Sequence, residues 1–392
     1  MRSPRASLAW VAILLAAACD HSATKPDLPH PPSDAFIDVA VGFSHTCGLL
    51  GNGKAFCWGR NVQYQLGTGE VTFHDSVPTA VVGDLRFIAL DAGAAHTCGV
   101  AIDGRAFCWG NNSEGQLGTN LSDPPLAPTP VSVDRLFSSV SAGAYDTCAL
   151  TQEGGPYCWG QGVGFGKAGT MILPTPVSGG PSFATISAGD YQACGLTASG
   201  VGYCWGTNQF GGLGNDAVTG YSDTPVPVMG NLTFQAIGAG NAHACGLTTA
   251  GVVYCWGLNN TGQLGDNSTT SRSQPVQIYG GRTFKSLTVG SGHNCAVTQS
   301  DETFCWGNNS FGQLGTDITL GSCDGFGACS LVPVPSAVGQ TFRSISPGAY
   351  HTCGIDFTYR LFCWGMNRDG QIGVGILSDM VPQPALVTVP VP

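Results

Sequence analysis

Seventeen cysteines and eight histidines are the residues of this chain best equipped for chemistry. Residues 96 to 118, HTCGVAIDGRAFCWGNNSEGQLG, place a histidine two positions before one cysteine and a second cysteine ten positions later, beside a tryptophan. Such an arrangement suits a zinc site, a redox pair or a disulfide. It recurs as Cys47 and Cys57, Cys98 and Cys108, Cys148 and Cys158, Cys194 and Cys204, Cys245 and Cys255, Cys295 and Cys305, and Cys353 and Cys363. The histidine precedes five of these pairs, at His45, His96, His243, His293 and His351, but its place is Asp146 in the third and Gln192 in the fourth. Both of those pairs survive its loss. A zinc site without its histidine has no use for two lone thiols, and two or three ligands per unit fall short of the four that a structural site uses. The pairs therefore read as disulfides, and neither metal nor cofactor is expected. The histidine reads as a hydrogen-bonding residue at a strand start. Cys323 and Cys329 form a further pair inside the insertion 317–336.

The elements that must hold these residues follow from the repetition. Trp58, Trp109, Trp159, Trp205, Trp256, Trp306 and Trp364 each lie between a cysteine and a glycine, at spacings of 51, 50, 46, 51, 50 and 58 residues. One unit reads as a strand FIALDAG, a strand HTCGV, a turn IDG, a strand RAFCWG, a polar loop and a fourth strand near PTAVV or PTPVS. Each cysteine pair is symmetric about its turn, so an antiparallel hairpin sets the two opposite one another within disulfide reach. Glycine at Gly53, Gly104, Gly154, Gly200 and Gly251 predicts a left-handed residue in that turn; Asp301 and Tyr359 depart from it. Phe56 and Trp58 face one side of their strand and Cys57 the other, so both faces call for burial between neighbours. Seven such units predict an all-β closed ring, a seven-bladed β-propeller with one disulfide per blade. The first unit has no Pro-x-x-Val element before Phe36, whereas Pro384–Val387 has no unit after it, so the C-terminal strand is expected to close the ring by completing the first blade.

Cys19 is the odd cysteine. Arg2 and Arg5 precede an apolar run from Leu8 to Ala18, too short to span a bilayer as a stable helix, and residues 1–18 read as a signal peptide. Leu15-Ala16-Ala17-Ala18-Cys19 resembles a bacterial lipoprotein cleavage box, which implies that Cys19 is the lipidated first residue of the mature chain; Ala16-x-Ala18 also suits ordinary signal peptidase, and the alternative is a secreted chain. Residues 19–34 are a polar, Pro-rich linker, and 35–392 the propeller. An exported chain meets an oxidising compartment, which favours disulfides over reduced thiolates. Charged residues are 10% of the chain against about 25% in ordinary domains. A net charge of -10 offers no basic footprint for nucleic acid.

The pattern A-G-x-x-H-x-x-A/G-L, then Y/F-x-W-G-x-N-x-x-G-Q-L-G, resembles the repeats of the regulator of chromosome condensation family, which are seven-bladed propellers. The likeness runs from about 35 to 392, and its architecture is similar to that of the secreted bacterial member β-lactamase inhibitor protein II. The third unit, with GQGVGFGKAG, departs from the loop motif. Gly48 to Ala55 nearly matches a phosphate-binding loop but lacks the metal-binding hydroxyl. With no nucleophile elbow, HExxH or EF-hand loop either, no enzyme is expected. Export, acidity and the lack of a basic tail oppose the nucleotide-exchange and chromatin roles that the family name suggests. The expectation is a monomeric, lipid-anchored extracytoplasmic scaffold for an unidentified protein partner, with a carbohydrate or cell-wall polymer as the alternative ligand. Strand alternation puts the Ala-Gly-x-x-His connection and the loop after Trp-Gly on one side of the disc. That side collects Phe43, Tyr64, Tyr145, Phe165, Tyr191, Phe210, Phe311 and Tyr350, against chiefly Phe357 and Tyr359 on the other.

Overall fold

A computed structural model describes residues 31–389 apart from 122, 162–169, 319 and 324. Seven four-stranded antiparallel sheets follow one another along the chain, each in strict sequence order from an inner to an outer strand. The first consists of Phe36–Val41, His45–Leu50, Ala55–Arg60 and His74–Ala80; the last of Phe342–Pro347, His351–Asp356, Leu361–Met366 and Met380–Val387. The seven inner strands meet in succession around a central axis, and the seventh meets the first. Cys19, the signal segment and most of the linker lie outside the described residues, as does Phe165.

Register explains the cysteine symmetry. Cys47 pairs across the ladder with Cys57, and each of the other six pairs is likewise opposed. Their Cα atoms lie 4.0 to 4.2 Å apart, and all seven disulfides are formed. Cys323 and Cys329 form the eighth. In the hairpin turns Gly53 has φ +81° and Gly104 +84°, and Asp301 (66°) and Tyr359 (63°) occupy the same left-handed position. The turn is therefore kept where its usual residue is not.

The cores lie between blades. Cys47, Cys57 and Leu49 of the first blade pack against Phe87, Leu90 and Trp109 of the second. The same assembly repeats at every junction, including Cys353 and Cys363 of the seventh blade against Phe36 and Trp58 of the first. The seven tryptophans of the Cys-Trp-Gly units are completely buried. Each hides about 150–250 Å², worth roughly 4–6 kcal/mol of gross transfer free energy at about 25 cal/mol/Å². No blade has this without a neighbour.

One expectation is corrected. The C-terminal strand does not complete the first blade: Val387, Leu386 and Ala385 pair with Leu361, Phe362 and Cys363 of their own blade. Pro78 and the residues beside it supply the first blade's outer strand, where Ala80 pairs with Phe56. The Pro-x-x-Val element thus belongs to the unit before it, and the count from the following phenylalanine assigned it one blade late. The seam is closed by packing instead, with Val387 buried beside Phe36 and Val39. At the axis a Cβ placed on Gly348 would overlap the carbonyl oxygen of Gly42, and the same overlap recurs from each blade to the next, through Gly42, Gly93, Gly143, Gly189, Gly240 and Gly290. Only glycine allows this approach.

Candidate binding face and axial cavity

The connections from first to second strand and from third to fourth strand emerge on one side of the disc, which we call the loop face. Two residues of N-x-x-G-Q-L-G build its larger loops. Asn61 accepts from Leu66 N and donates from Nδ2 to Glu70 O and Thr72 Oγ1. Asn112, Asn208, Asn259 and Asn367 repeat this crosslink. The glutamine side chain accepts from the backbone two residues upstream, as Gln116 does from Glu114 N and Gln371 from Asp369 N. Loops of this length hold their shape because their polar backbone groups are satisfied internally.

The histidines clasp neighbouring blades. His45 Nε2 meets Thr97 Oγ1 at 2.9 Å, and His96 meets Thr147, His293 Thr352 and His351 Thr46 at 2.7 to 2.9 Å. Each threonine donates its own proton to a loop carbonyl, Thr46 to Gln371 O at 2.9 Å and Thr97 to Gln65 O at 2.8 Å. Nε2 must then carry the donating hydrogen, which fixes the tautomer. His243 obeys the same rule with Asn294, whose Oδ1 accepts while its Nδ2 donates to Gln263 O. Several of those carbonyls also accept from a tryptophan, as Gln371 O does from Trp58 Nε1. Burial lowers all five histidines to about 3 or 4, so they are neutral. The two exceptions are paired changes. Asp146 and Gln192 replace histidine where the facing residue of the next blade is Ala193 or Ala244 instead of threonine, and Gln192 donates to the His243 carbonyl at 2.8 Å.

Inside the ring the inner strands leave an axial cavity of about 260 Å³. Asp91 Oδ2 accepts from Ala142 N of the next blade at 2.9 Å and Oδ1 from its own Ala92 N. Ser141 and Ser187 staple their neighbours in the same way, at 2.9 and 3.1 Å. Nearer the loop face Asp190 Oδ2 accepts from Asn241 Nδ2 at 2.6 Å and from Ser291 Oγ at 2.9 Å. Burial raises Asp190, and raises Asp91 to about 6, the latter opposed by its backbone hydrogen bonds. Asp146, fully buried and among the described residues without a hydrogen-bonding side chain or backbone partner for either oxygen, is raised well above its ordinary value by burial and then by Asp190. The sequence showed no carboxylate cluster. Topology brings Asp91 and Asp190 to one cavity from blades a hundred residues apart in sequence. Among the described residues no group of three or more His, Cys, Asp or Glu side chains could hold a metal.

Of the aromatic residues singled out, Phe43, Phe311 and Tyr350 come together across the seam, with ring centroids 6.3 Å (Phe43 to Tyr350) and 5.5 Å (Phe311 to Tyr350) apart. The Arg368 guanidinium lies 5.4 Å from the Phe311 ring. Tyr145 and Tyr191 are exposed at equivalent positions of adjacent blades. Tyr64 has φ 62° where other blades place Gly115, Gly262, Gly312 or Gly370, and Phe210 has φ 65°. A bulky side chain in that region is strained. Tyr64 has room because the neighbouring outer strand shrinks to Thr129–Pro130, whereas Gly262 and Gly370 press on Ser330 and Ser76. Sequence reasoning missed Val71 and Phe73, among the described residues the most exposed large apolar ones on this side at 74% and 79%, and Val218, Tyr221, Ile318, Phe326, Ile376 and Leu377. Their only signal is an apolar residue inside an otherwise polar third-to-fourth-strand loop. The opposite face exposes Phe357 as expected, and also Ile102 and Tyr279, which that reading passed over.

Comparison with known proteins fits this geometry. The RCC1-like domain model matches residues 76–391, and the regulator of chromosome condensation (RCC1) repeat model matches 36–65. Probable E3 ubiquitin-protein ligase HERC6 of Homo sapiens is 31% identical over 111 residues, covering 27% of this chain and 11% of that protein. Probable E3 ubiquitin-protein ligase HERC4 of Rattus norvegicus is 35% identical over 86 residues, covering 21% and 8%. The chain thus spans about a tenth of the length of these curated relatives. Their names overturn the expectation that this chain stands apart from enzymes, although the matched stretch is a small part of each ligase. Among solved structures, Prp20p from Saccharomyces cerevisiae superposes with a TM-score of 0.76 at 19% identity, covering 91% of this chain and 88% of that one. Human WBSCR16 gives 0.73 at 21%, covering 83% and 88%. Those likenesses show the fold. With seven disulfide-pinned blades, five of them clasped to the next through histidine, and with the family model matching from residue 76 to 391, the chain belongs to the RCC1-like domain family.

Proposed function

We propose that this propeller binds a protein partner through its loop face, as a monomer held outside the cytoplasm by a lipid on Cys19. The observation that carries the reading is the contiguous apolar surface of that face at the seam. Phe43 and Phe311 both lie against Tyr350 there, Arg368 covers Phe311, and exposed Ile376 and Leu377 stand in the adjoining loop. Aromatic and arginine anchors on a rigid base bury much apolar area at low entropic cost, which is the composition of interface hot spots. Eight disulfides support an oxidising compartment. Relatives of the same fold engage proteins: yeast RCC1 (Prp20) has been crystallised with Kap60 bound, and Prp20p has been characterised for binding to Gsp1p and histones. Affinity capture from envelope extract with the full chain and with a Tyr145→Ala, Tyr191→Ala, Tyr350→Ala variant tests the reading. The partner should be lost with the variant while its melting temperature and disulfides stay unchanged. Equal capture by both would reject the loop face.

A further inference from the structure

The axial cavity has two walls of opposite character. On one side stand the Phe43 ring, half-buried, and the buried Ala349 methyl; on the other stand Asp190 and Ser291. Asp190 is 93% buried, and its Oδ2 is occupied by Asn241 and Ser291. Among the described residues no donor meets Oδ1, which is left to the cavity. Asp91, deeper in, has both oxygens engaged by backbone N–H groups. Among the described residues no lysine, arginine or histidine lines the space. A buried carboxylate without a counter-ion, fixed by two side-chain donors and facing an aromatic wall, is a built acceptor for a cation on an apolar stem. The cavity, about 260 Å³, equals the share of roughly nine waters at ~30 Å³ each, which suffices for one extended side chain.

We infer that the axial cavity receives one ammonium or guanidinium side chain from the partner, a lysine or arginine at a loop tip, with Phe43 against its aliphatic stem and Asp190 Oδ1 accepting from its charged head. The inference rests on the loop face being the binding face, since the cavity is reached from that side. It also explains the polar bias of Asp190, Asn241 and Ser291, three consecutive blades whose equivalents elsewhere are Phe43, Ala94, Ala144 and Ala349. Hydrogen bonds to a charged group are worth about 1.5–3 kcal/mol, roughly a tenfold to hundredfold change in affinity.

The test is an NMR titration of the full chain with agmatine, following the backbone amides of Gly189 and Gly240, with the uncharged isostere N-pentylurea as control. Agmatine should shift both amides and N-pentylurea should not. Asp190→Asn keeps an acceptor for Asn241 and Ser291 and removes the charge, so it should weaken agmatine at least tenfold with an unchanged melting temperature. Phe43→Leu should weaken it less. Equal binding of agmatine to wild type and Asp190→Asn, no binding to wild type, or displacement of agmatine by N-pentylurea would each overturn the inference. So would a divalent cation, added alone, shifting these amides when agmatine does not. If agmatine binds as described but the tyrosine variant above still captures the partner, the loop-face reading fails and with it the partner's side chain as occupant, while the cavity stands as a cation site. Loss of capture with no agmatine response sinks the cavity alone.

Discussion

Replacing Thr46 by valine removes one hydroxyl at the seam and keeps the shape. Two bonds disappear with it: the 2.7 Å contact from His351 Nε2 and the 2.9 Å bond to Gln371 O. Gln371 O retains Trp58 Nε1, so its loss is about 1 kcal/mol. His351 is completely buried and among the described residues its Nε2 has no acceptor besides Thr46 Oγ1, so its stranded N–H costs a further ~1–3 kcal/mol. The total is about 2–4 kcal/mol. Unfolding entropy of about 2.1 cal/mol/K per residue gives roughly 0.7 kcal/mol/K for the ordered propeller. A cost near 3 kcal/mol therefore lowers the melting temperature by about 4 °C. Nature supplies the rescue, because Gln192 opposite Ala244 donates to the backbone carbonyl of His243. The double variant Thr46→Ala, His351→Gln copies that junction and should recover at least ~1 kcal/mol relative to Thr46→Ala alone. Differential scanning calorimetry of the disulfide-intact protein reads all three. A Thr46→Val melting temperature within 1 °C of wild type, or a double variant no better than the single one, would refute the clasp.

Further outcomes follow from the same geometry. The five histidines have folded values lowered to about 3 or 4, so the unfolded chain binds more protons between there and about 6.5, and stability present above that value is lost as pH falls through the window. Asp91, Asp146 and Asp190 are raised and act in the opposite sense, their contribution fading as pH rises, for Asp91 through about 6. Urea midpoints should fall from pH 6.5 toward 4, and the His351→Gln, Thr46→Ala variant should fall less steeply. Gly348→Ala, which drives a methyl into Gly42 O, should cost about 1–3 kcal/mol by overpacking, whereas Gly321→Ala, with nothing within 4 Å, should leave the melting curve unmoved. Alkylation of the unfolded, unreduced chain should leave the sixteen paired cysteines unlabelled, and Cys19→Ser should release the protein from membranes; retention in the pellet would place the anchor elsewhere.

Much of the fold was legible because each unit carries its local geometry in spacing. Cys98 and Cys108 are equidistant from Asp103, and that symmetry is the register. Trp109 follows Cys108 on the alternate face, and that alternation is the interblade core. Junctions between units were less legible, since Pro78 is nearer in sequence to Phe87 of the next blade than to Trp58 of its own, and only pairing decides which blade owns it. The site was least legible. Asp91 and Asp190 are unremarkable in a linear reading, and become neighbours of one cavity only through ring closure. The pairing of Asp146 with Ala193 and of Gln192 with Ala244 was visible in the sequence as two separate departures. Their connection required knowing that each histidine position reaches into the next blade.

Photo-crosslinking tests the central claim, that the loop face is the surface used. A photoreactive phenylalanine at Tyr145 or Tyr350 on the loop face, and at Phe357 or Tyr279 on the opposite face, reports which side the partner covers. Crosslinks to a single captured protein from Tyr145 and Tyr350, with none from Phe357 and Tyr279, are predicted. Crosslinks from the opposite pair alone would contradict the account.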